Sequence, residues 1–382
     1  MRSYLLRLKN VLPIFIPLVG MLISLPLLGA WLVGLPLGPY LEFPPQTRFI
    51  RHAGFSWPAF VCMSALIVAM ILPVLLQALR SYRLSPRPAA RGSHPFPWWG
   101  WIALAAGAAA WALAWTRFPW MAAFQAHTFT PLWLAYIVGV NALCVRRTGR
   151  SLMTCQPGYF AALFPASAAF WWFFEYLNRF VQNWYYVGEH FDAWSYFWFA
   201  TLPFATVLPA VLSTQELIRS FAGFRRAFRR MPSFSGFNRP LISWTVLALS
   251  AGGLTGMAIA PSYLYPLVWV APLLLLAALR GIGREPHVFQ ELARTDWTGP
   301  ACAALAALLC GLFWEMWNFY SLAKWKYSIP FVHRFEIFEM PVLGYFGYLP
   351  FGLECAVIGD WLQDLLKRNR GGLAARPNGI IL

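Results

Sequence analysis

The sequence predicts an all-α polytopic membrane protein with about ten transmembrane helices, in which one helical hairpin occurs twice in the same orientation. Three observations lead to this prediction. The 382 residues are 59% hydrophobic and only 12% charged, with a mean hydropathy of +0.54, whereas a soluble domain has about 25% charged residues. The apolar residues form long continuous runs, and basic residues concentrate in alternate loops between those runs.

Ten runs are apolar enough to cross a hydrocarbon core of about 30 Å, which takes about 20 helical residues. Their continuity excludes a β-barrel, whose strands alternate apolar and polar residues over about ten positions. The fourth run is short, and the seventh and eighth, separated only by a tight turn at Pro261, are either two spans or a re-entrant pair. The runs are 11–37, 57–79, 98–116, 128–145, 157–178, 194–216, 240–260, 262–280, 299–320 and 340–362.

The net charge of +16 marks topology rather than a nucleic-acid surface. Alternate loops hold 23 Lys and Arg residues on one side of the membrane, against seven on the other. By the positive-inside rule, both termini are predicted to be cytoplasmic. A bacterial inner (plasma) membrane fits such a multi-pass chain best. We expect membrane lipids as partners and no nucleic acid, and the oligomeric state stays open.

Cysteine and histidine usage predicts neither a metal site nor a redox cofactor. The six cysteines include no Cys-x-x-Cys pair, so neither a disulfide framework nor a zinc site is expected. The six histidines lack the paired positions on facing helices that a haem or di-iron site needs. A phosphate-binding loop, a His-Glu-x-x-His motif and a Gly-x-Ser-x-Gly elbow are also missing, which argues against ATPases, metalloproteases and serine hydrolases.

One pattern of polar and aromatic residues occurs twice in this single membrane domain (1–382), first within 157–216 and again within 299–362. Ten of its twelve positions are identical, and the other two keep their chemical type. Both copies run in the same direction, which predicts an axis along the membrane normal. The first copy reads Phe173, Phe174, Glu175, Asn178, Trp184, Tyr186, Phe191, Asp192, Phe199, Leu202, Pro203, Phe204, and the second reads Phe313, Trp314, Glu315, Asn318, Trp325, Tyr327, Phe338, Glu339, Phe346, Leu349, Pro350, Phe351.

Glu175 and Glu315 are the predicted catalytic residues. With a rise of 1.5 Å per residue, each lies roughly 24–27 Å from the cytoplasmic end of its helix, near the outer interface. A carboxyl group close to hydrocarbon costs several kcal/mol unless it is paired or protonated, yet the duplication kept it twice. Asn178 and Asn318 follow at i+3 on the same helix faces and are predicted to bind substrate. The alternative is hydrogen bonding between helices without catalysis.

The remaining predicted substrate-binding residues lie on the same side of the membrane. The aromatic ones are equally explained as an interfacial belt. The two acids at the start of the returning helices are equally explained by the helix dipole. These candidates are Trp184, Tyr186, Trp325, Tyr327, Asp192, Glu339, His127 and Glu42.

These residues together predict an acidic and aromatic pocket that opens toward the outer leaflet. An enzyme would use one glutamate as general acid, the other as base, and ring faces to stabilise positive charge on a lipid or isoprenoid. The alternatives are a proton-coupled transporter of a small molecule or lipid, and a non-catalytic subunit of a membrane assembly. The stretches 158–174 and 299–314 are almost wholly apolar, which gives a transporter little polar path to the cytoplasm along these helices.

The repeated helical units with Trp, Tyr and acidic positions resemble the membrane-embedded lycopene cyclases. The resemblance implies an apolar or isoprenoid ligand. The Pro-x-Glu-Glu motif of that family is missing, because Phe338-Glu339-Met340-Pro341 places acid and proline in the opposite order. No catalytic residue is therefore carried over from the family.

Overall fold

The computed structural model describes residues 2–45, 50–86, 93–234 and 239–366. It is predominantly helical with two small two-stranded sheets, so the all-α prediction is confirmed. The basic residues Arg48, Arg87 and Arg91 and those of 367–376, which support the predicted topology, lie outside the described residues. The long helices are α1 (Arg2–Leu32), α3 (Trp57–Leu84), α4 (Trp98–Trp115), α5 (Phe129–Thr148), α7 (Pro157–Asn178), α8 (Ala193–Phe204), α9 (Val207–Ser220), α11 (Pro240–Met257), α13 (Leu267–Ile282), α14 (Thr298–Phe319) and α15 (Tyr348–Leu366).

Short elements connect the long helices. The strands are β1 (Trp184–Val187), β2 (Lys324–Tyr327), β3 (Glu336–Ile337) and β4 (Met340–Pro341). Four further helices are α2 (Gly38–Leu41), α6 (Leu152–Cys155), α10 (Ala222–Phe228) and α12 (Pro261–Leu264), and three 3₁₀ segments cover Pro119–His127, Val288–Ala293 and Val342–Gly347.

The described residues contain eight helical segments long and apolar enough to span a membrane. The protein is therefore a polytopic membrane protein. The eight are Leu12–Leu32, Trp57–Leu84, Phe129–Thr148, Pro157–Asn178, Ala193–Ser220, Pro240–Met257, Thr298–Phe319 and Val342–Leu366. The other two predicted spans are also helical, as α4 with 18 residues and α13 with 16. The short predicted run at 128–145 corresponds to helix α5 (Phe129–Thr148), which is one of the eight.

Local sequence sets where these helices begin and end. Pro157 opens α7, where its missing N–H costs nothing. Gly149 ends α5 in the left-handed conformation at φ +77°, which glycine adopts without strain. Asp192 caps α8 by accepting the backbone N–H groups of Trp194 and Ser195 at 3.0 and 3.2 Å.

The helices of the two copies pack against each other within one bundle. Helix α7 contacts both α9 of its own copy and α15 of the other, and α14 likewise contacts both α15 and α9. Strands β1 and β2 pair antiparallel, with Trp184 opposite Tyr327 and Tyr186 opposite Trp325. Since equivalent residues exchange places across this pair, a local two-fold relation connects the two copies there. We call this end of the bundle the strand end.

Candidate functional site

A cavity of about 800 Å³ lies at the strand end between the two copies. Its wall combines α7, β1 and α8 of the first copy with β2, α14 and α15 of the second. Helix α13 adds Trp269, and α5 adds Phe129. Six of the predicted site residues lie in this wall: Glu175, Asn178, Trp184, Tyr186, Trp325 and Tyr327.

The Glu175 carboxyl group lies in the cavity wall with only 4% of the residue exposed. Its Oε1 accepts the indole N–H groups of Trp171 at 3.1 Å and Trp184 at 3.0 Å. The phenol of Tyr186 donates to the same oxygen at 2.5 Å. Among the described residues, all the hydrogen bonds of this carboxyl group go to Oε1. Its Oε2 is therefore the oxygen left to meet a bound molecule.

The Glu315 carboxyl group is fully buried behind the cavity wall. Its Oε1 accepts the phenols of Tyr327 at 2.6 Å and Tyr348 at 2.8 Å, and both of these tyrosines line the cavity. Trp325 donates to the Tyr327 oxygen at 2.9 Å. Within the described part of the chain, Glu315 Oε2 is buried without a hydrogen-bond partner. The second carboxyl group therefore reaches the cavity only through two phenols.

The two predicted substrate-binding asparagines hold the strands against the helices. Asn178 donates to the Trp184 carbonyl at 2.8 Å and accepts that residue's backbone N–H at 3.4 Å. Asn318 makes the same pair with Trp325, at 2.8 and 2.9 Å. The amide groups fix the tryptophans, and through them the strands, above the glutamates. Asn178 also borders the cavity, whereas Asn318 does not.

Phenols outside the membrane-spanning helices remain proton donors at this site. Burial raises the pKa of Tyr186 and Tyr327 well above the ordinary phenol range, and the adjacent Glu175 and Glu315 add to the effect. Both side chains therefore keep their protons at neutral pH and donate to the carboxylate oxygens. The same contact orients each phenol beside the cavity.

Two basic side chains that line the cavity have hydrogen-bond or ion-pair partners within the protein. Lys324 forms an ion pair with Glu339 and also donates to the Phe319 carbonyl at 2.9 Å. Arg179, one helical turn after Glu175, donates to the Tyr40 carbonyl at 2.9 Å. Among the described residues, no Lys, Arg or His nitrogen lies within 4.0 Å of a Glu175 oxygen. The Glu175 carboxyl group therefore has aromatic partners and no direct ion pair.

Besides Glu315 and Asn318, the structure separates four further predicted residues from the cavity wall. Asp192 is exposed and caps α8, and Glu42 is exposed at the end of α2. Glu339 acts on the cavity only through Lys324. The His127 ring contacts the Phe199 ring in a tilted arrangement, with ring centroids 3.9 Å apart, and Phe199 is the residue that borders the cavity. Burial lowers the pKa of His127, which favours the neutral ring.

Sequence reasoning missed several wall residues. Trp171 precedes Glu175 by four residues, so helical spacing was a usable signal for it. Tyr348 is equivalent in the repeat to Thr201 of the first copy. Because the two residues differ, the repeated pattern does not mark this position. Trp269 belongs to α13, outside the repeat, and no local pattern pointed to it. In the described residues, no cluster of three His, Cys, Asp or Glu side chains has the geometry for a metal ion.

Comparison of this chain with protein-family models, with curated proteins and with solved structures gives no match.

Proposed function

We propose that this protein is a membrane-embedded enzyme that performs acid–base chemistry on a lipid or another amphiphile held in the cavity. The observation that carries the proposal is the pair of cavity-lining phenols, Tyr327 and Tyr348, bonded to one sealed carboxyl group. Proton transfer needs donor and acceptor within about 2.6–3.2 Å. The distances of 2.6 and 2.8 Å to Glu315 Oε1 meet that condition.

The proposed proton path is a short relay. When Glu315 is in its carboxylic acid form, a phenol that gives its proton to a bound molecule takes up the proton of Glu315, and Glu315 becomes a carboxylate. The reverse sequence removes a proton from the bound molecule. Glu175, paired with Tyr186 in the wall of the same cavity, would serve as the second acid–base group. Two relays in one cavity suit a reaction that adds a proton at one atom and removes one at another.

Membrane context supports an amphiphilic substrate. The cavity wall is rich in indole and phenyl rings, including Phe129, Trp171, Trp269 and Phe204. Pockets of 300–1,000 Å³ with mostly apolar walls and a few polar groups are typical ligand sites. The basic loops at the opposite end of the bundle favour an outward orientation of the strand end. A substrate from the outer leaflet of a bacterial inner membrane fits this arrangement.

The test compares membrane lipids from cells that express the wild type or a variant, with the amount of folded protein measured in parallel. We expect Glu315→Gln to remove a product lipid, while folded protein changes little because Gln keeps the shape of the side chain and the carbonyl acceptor. Tyr348→Phe should reduce the product less, since Tyr327 still reaches the carboxyl group. Unchanged product in both Glu315→Gln and Glu175→Gln would contradict the proposal.

A second candidate function is proton-coupled transport, and one observation favours it. Helices α5, α9 and α14 share a buried polar seam that leads away from the strand end. Tyr136 contacts Thr214 at 3.0 Å and Cys310 at 3.8 Å, and Asn141 donates to Ser213 at 2.9 Å. Proton-dependent uptake into vesicles that is lost in Thr214→Val would favour the transporter over the enzyme.

A further inference from the structure

Five tryptophans border the cavity, and four of them lie in one group near Glu175. Trp171 and Trp184 both donate to this carboxyl group, and their ring centroids are 6.3 Å apart. Trp269 adds a third ring, 5.4 Å from Trp184. We call Trp171, Trp184, Trp269 and the nearby Trp314, which lies 6.4 Å from Trp171, the tryptophan group. All four line the cavity.

We infer that the cavity binds a cationic ammonium group, seated between the Glu175 carboxylate and the faces of the tryptophan group. This inference rests on the proposed function and names the chemistry of its substrate. Indole faces carry negative electrostatic potential, and aromatic groups of this kind are the recurrent solution for ammonium and quaternary ammonium ligands. A carboxylate beside such rings adds a full negative charge on the same side.

Other ligand classes fit this part of the wall less well. A purely apolar group would cover Glu175 Oε2 without satisfying it, and a buried polar group without a partner is costly. An anionic group would meet the carboxylate and the negative ring faces together. A metal ion would lack ligands here, because no group of three His, Cys, Asp or Glu side chains among the described residues could hold one. An ammonium group satisfies the carboxylate and the rings at once.

The neighbouring charges agree with an ammonium group that belongs to a zwitterion. Lys324 is neutralised by Glu339, so it does not oppose a cation in the cavity. Arg179 lies one turn beyond Glu175, and its guanidinium keeps donors that the single bond to the Tyr40 carbonyl does not use. Arg179 is thus positioned for an anionic group next to the ammonium. A phosphate–ammonium head group carries that pair of charges on two groups joined by a short ethylene link.

The primary experiment measures binding of choline and of its neutral isostere 3,3-dimethylbutan-1-ol to the full chain in phosphatidylglycerol nanodiscs. The two probes have nearly the same shape and differ in charge. We expect choline to bind roughly tenfold more tightly, as desolvated cation–π and carboxylate contacts imply. Equal binding of the two probes, or no binding of choline, would overturn the inference.

Variants then locate the site. Glu175→Gln should weaken choline binding roughly tenfold, and Trp269→Leu severalfold, whereas Trp269→Phe should retain most of it. Glu336→Gln is the matched control, because it removes one negative charge near the strand end from an exposed residue that does not border the cavity. If Glu175→Gln fails to fold, the two Trp269 variants decide the question. Equal loss in Glu175→Gln and Glu336→Gln would contradict the assigned site.

The lipid composition of the nanodiscs distinguishes two sources of the ammonium group, a lipid head group and a soluble compound. If phosphatidylcholine nanodiscs abolish choline binding and phosphatidylglycerol nanodiscs do not, the ligand is a lipid head group. If neither lipid competes, the ligand is a soluble ammonium compound. Failure of this inference is distinguishable from failure of the proposed function. If choline does not bind but a neutral lipid that co-purifies with the wild type is lost in Glu315→Gln, the proposed enzyme stands without the cation site. If choline binds but the cellular lipids are unchanged in Glu315→Gln, only the cation site stands.

Discussion

The two copies of the repeat keep the same glutamate, asparagine, tryptophan and tyrosine, yet only the first copy presents its carboxyl group to the cavity. The difference lies at two other positions. The first copy has Trp171 beside its glutamate and Thr201 on the returning helix, and the second has Gly311 and Tyr348. In each copy one large aromatic side chain donates a hydrogen bond to the glutamate and fills the space beside it. In the first copy it is Trp171 on the glutamate's own helix, and in the second it is Tyr348 on the returning helix. Tyr348 over Gly311 seals Glu315, whereas Trp171 leaves Glu175 at the wall.

We expect the largest effect on stability from a change at Gly311, whose missing side chain makes room for the Tyr348 ring. A Cβ atom at Gly311 would lie 2.7 Å from Tyr348 Cζ, so even alanine would displace the ring. We expect Gly311→Trp to destabilise the protein by about 3 kcal/mol. Adding Tyr348→Thr, which restores the pairing of the first copy, should recover part of that loss. Thermal unfolding of the two single variants and the double variant measures the coupling energy between positions 311 and 348. If the stability losses of the single variants simply add in the double variant, the two side chains do not compete for one space.

The two asparagines test the part of the site that the copies share. Asn178→Leu and Asn318→Leu each remove a donor and an acceptor from a strand backbone, and each should cost about 2 kcal/mol. Each asparagine bonds both backbone groups of its strand tryptophan, and Asn178 also accepts the Asn183 N–H at 2.8 Å. We therefore expect losses of similar size in a thermal unfolding assay, with Asn178→Leu slightly the larger. A large effect in one copy and none in the other would show that only one strand depends on its asparagine.

The tyrosines of the two strands should differ in their effect. Tyr186→Phe leaves Glu175 with both indole donors, whereas Tyr327→Phe removes a partner of Glu315 and also leaves the Trp325 N–H without its acceptor. The second variant should therefore be less stable than the first by about 1 kcal/mol. Denaturation midpoints of the two variants, measured side by side, check this. Equal midpoints would mean that the Trp325 N–H finds another acceptor.

The smallest effect concerns Asp192 and Glu339, the two acids at equivalent positions of the repeat. Asp192 is exposed, and hydrogen bonds from Ser195 lower its pKa below the ordinary aspartate value. Because the folded-state pKa is the lower one, its contribution to stability is present above the ordinary aspartate pKa and is lost as pH falls through the lowered value. Asp192→Asn keeps an acceptor cap and should remove this acid sensitivity. Glu339→Gln should act differently, by releasing Lys324.

Much of the fold followed from the sequence because lipid leaves a chain few options. Every backbone polar group in hydrocarbon needs an internal partner, so a long apolar run becomes a helix. The repeated glutamates and strand aromatics were likewise found from sequence, because duplication marks them twice. The roles of Asn178 and Asn318 were not, since the same amide serves a substrate or a backbone equally well until its partners are known.

The sequence by itself determined the membrane helices, the duplicated hairpin and the polar residues placed near one end of each copy. Periodicity, apolar length and repetition carry that information along the chain. Only the tertiary structure decided that Glu175 borders a cavity while Glu315 is sealed, and that Trp269 and Tyr348 complete the wall. These facts depend on side chains from distant segments occupying one space. Which of two equivalent groups stays accessible is set by that packing, which no local pattern records.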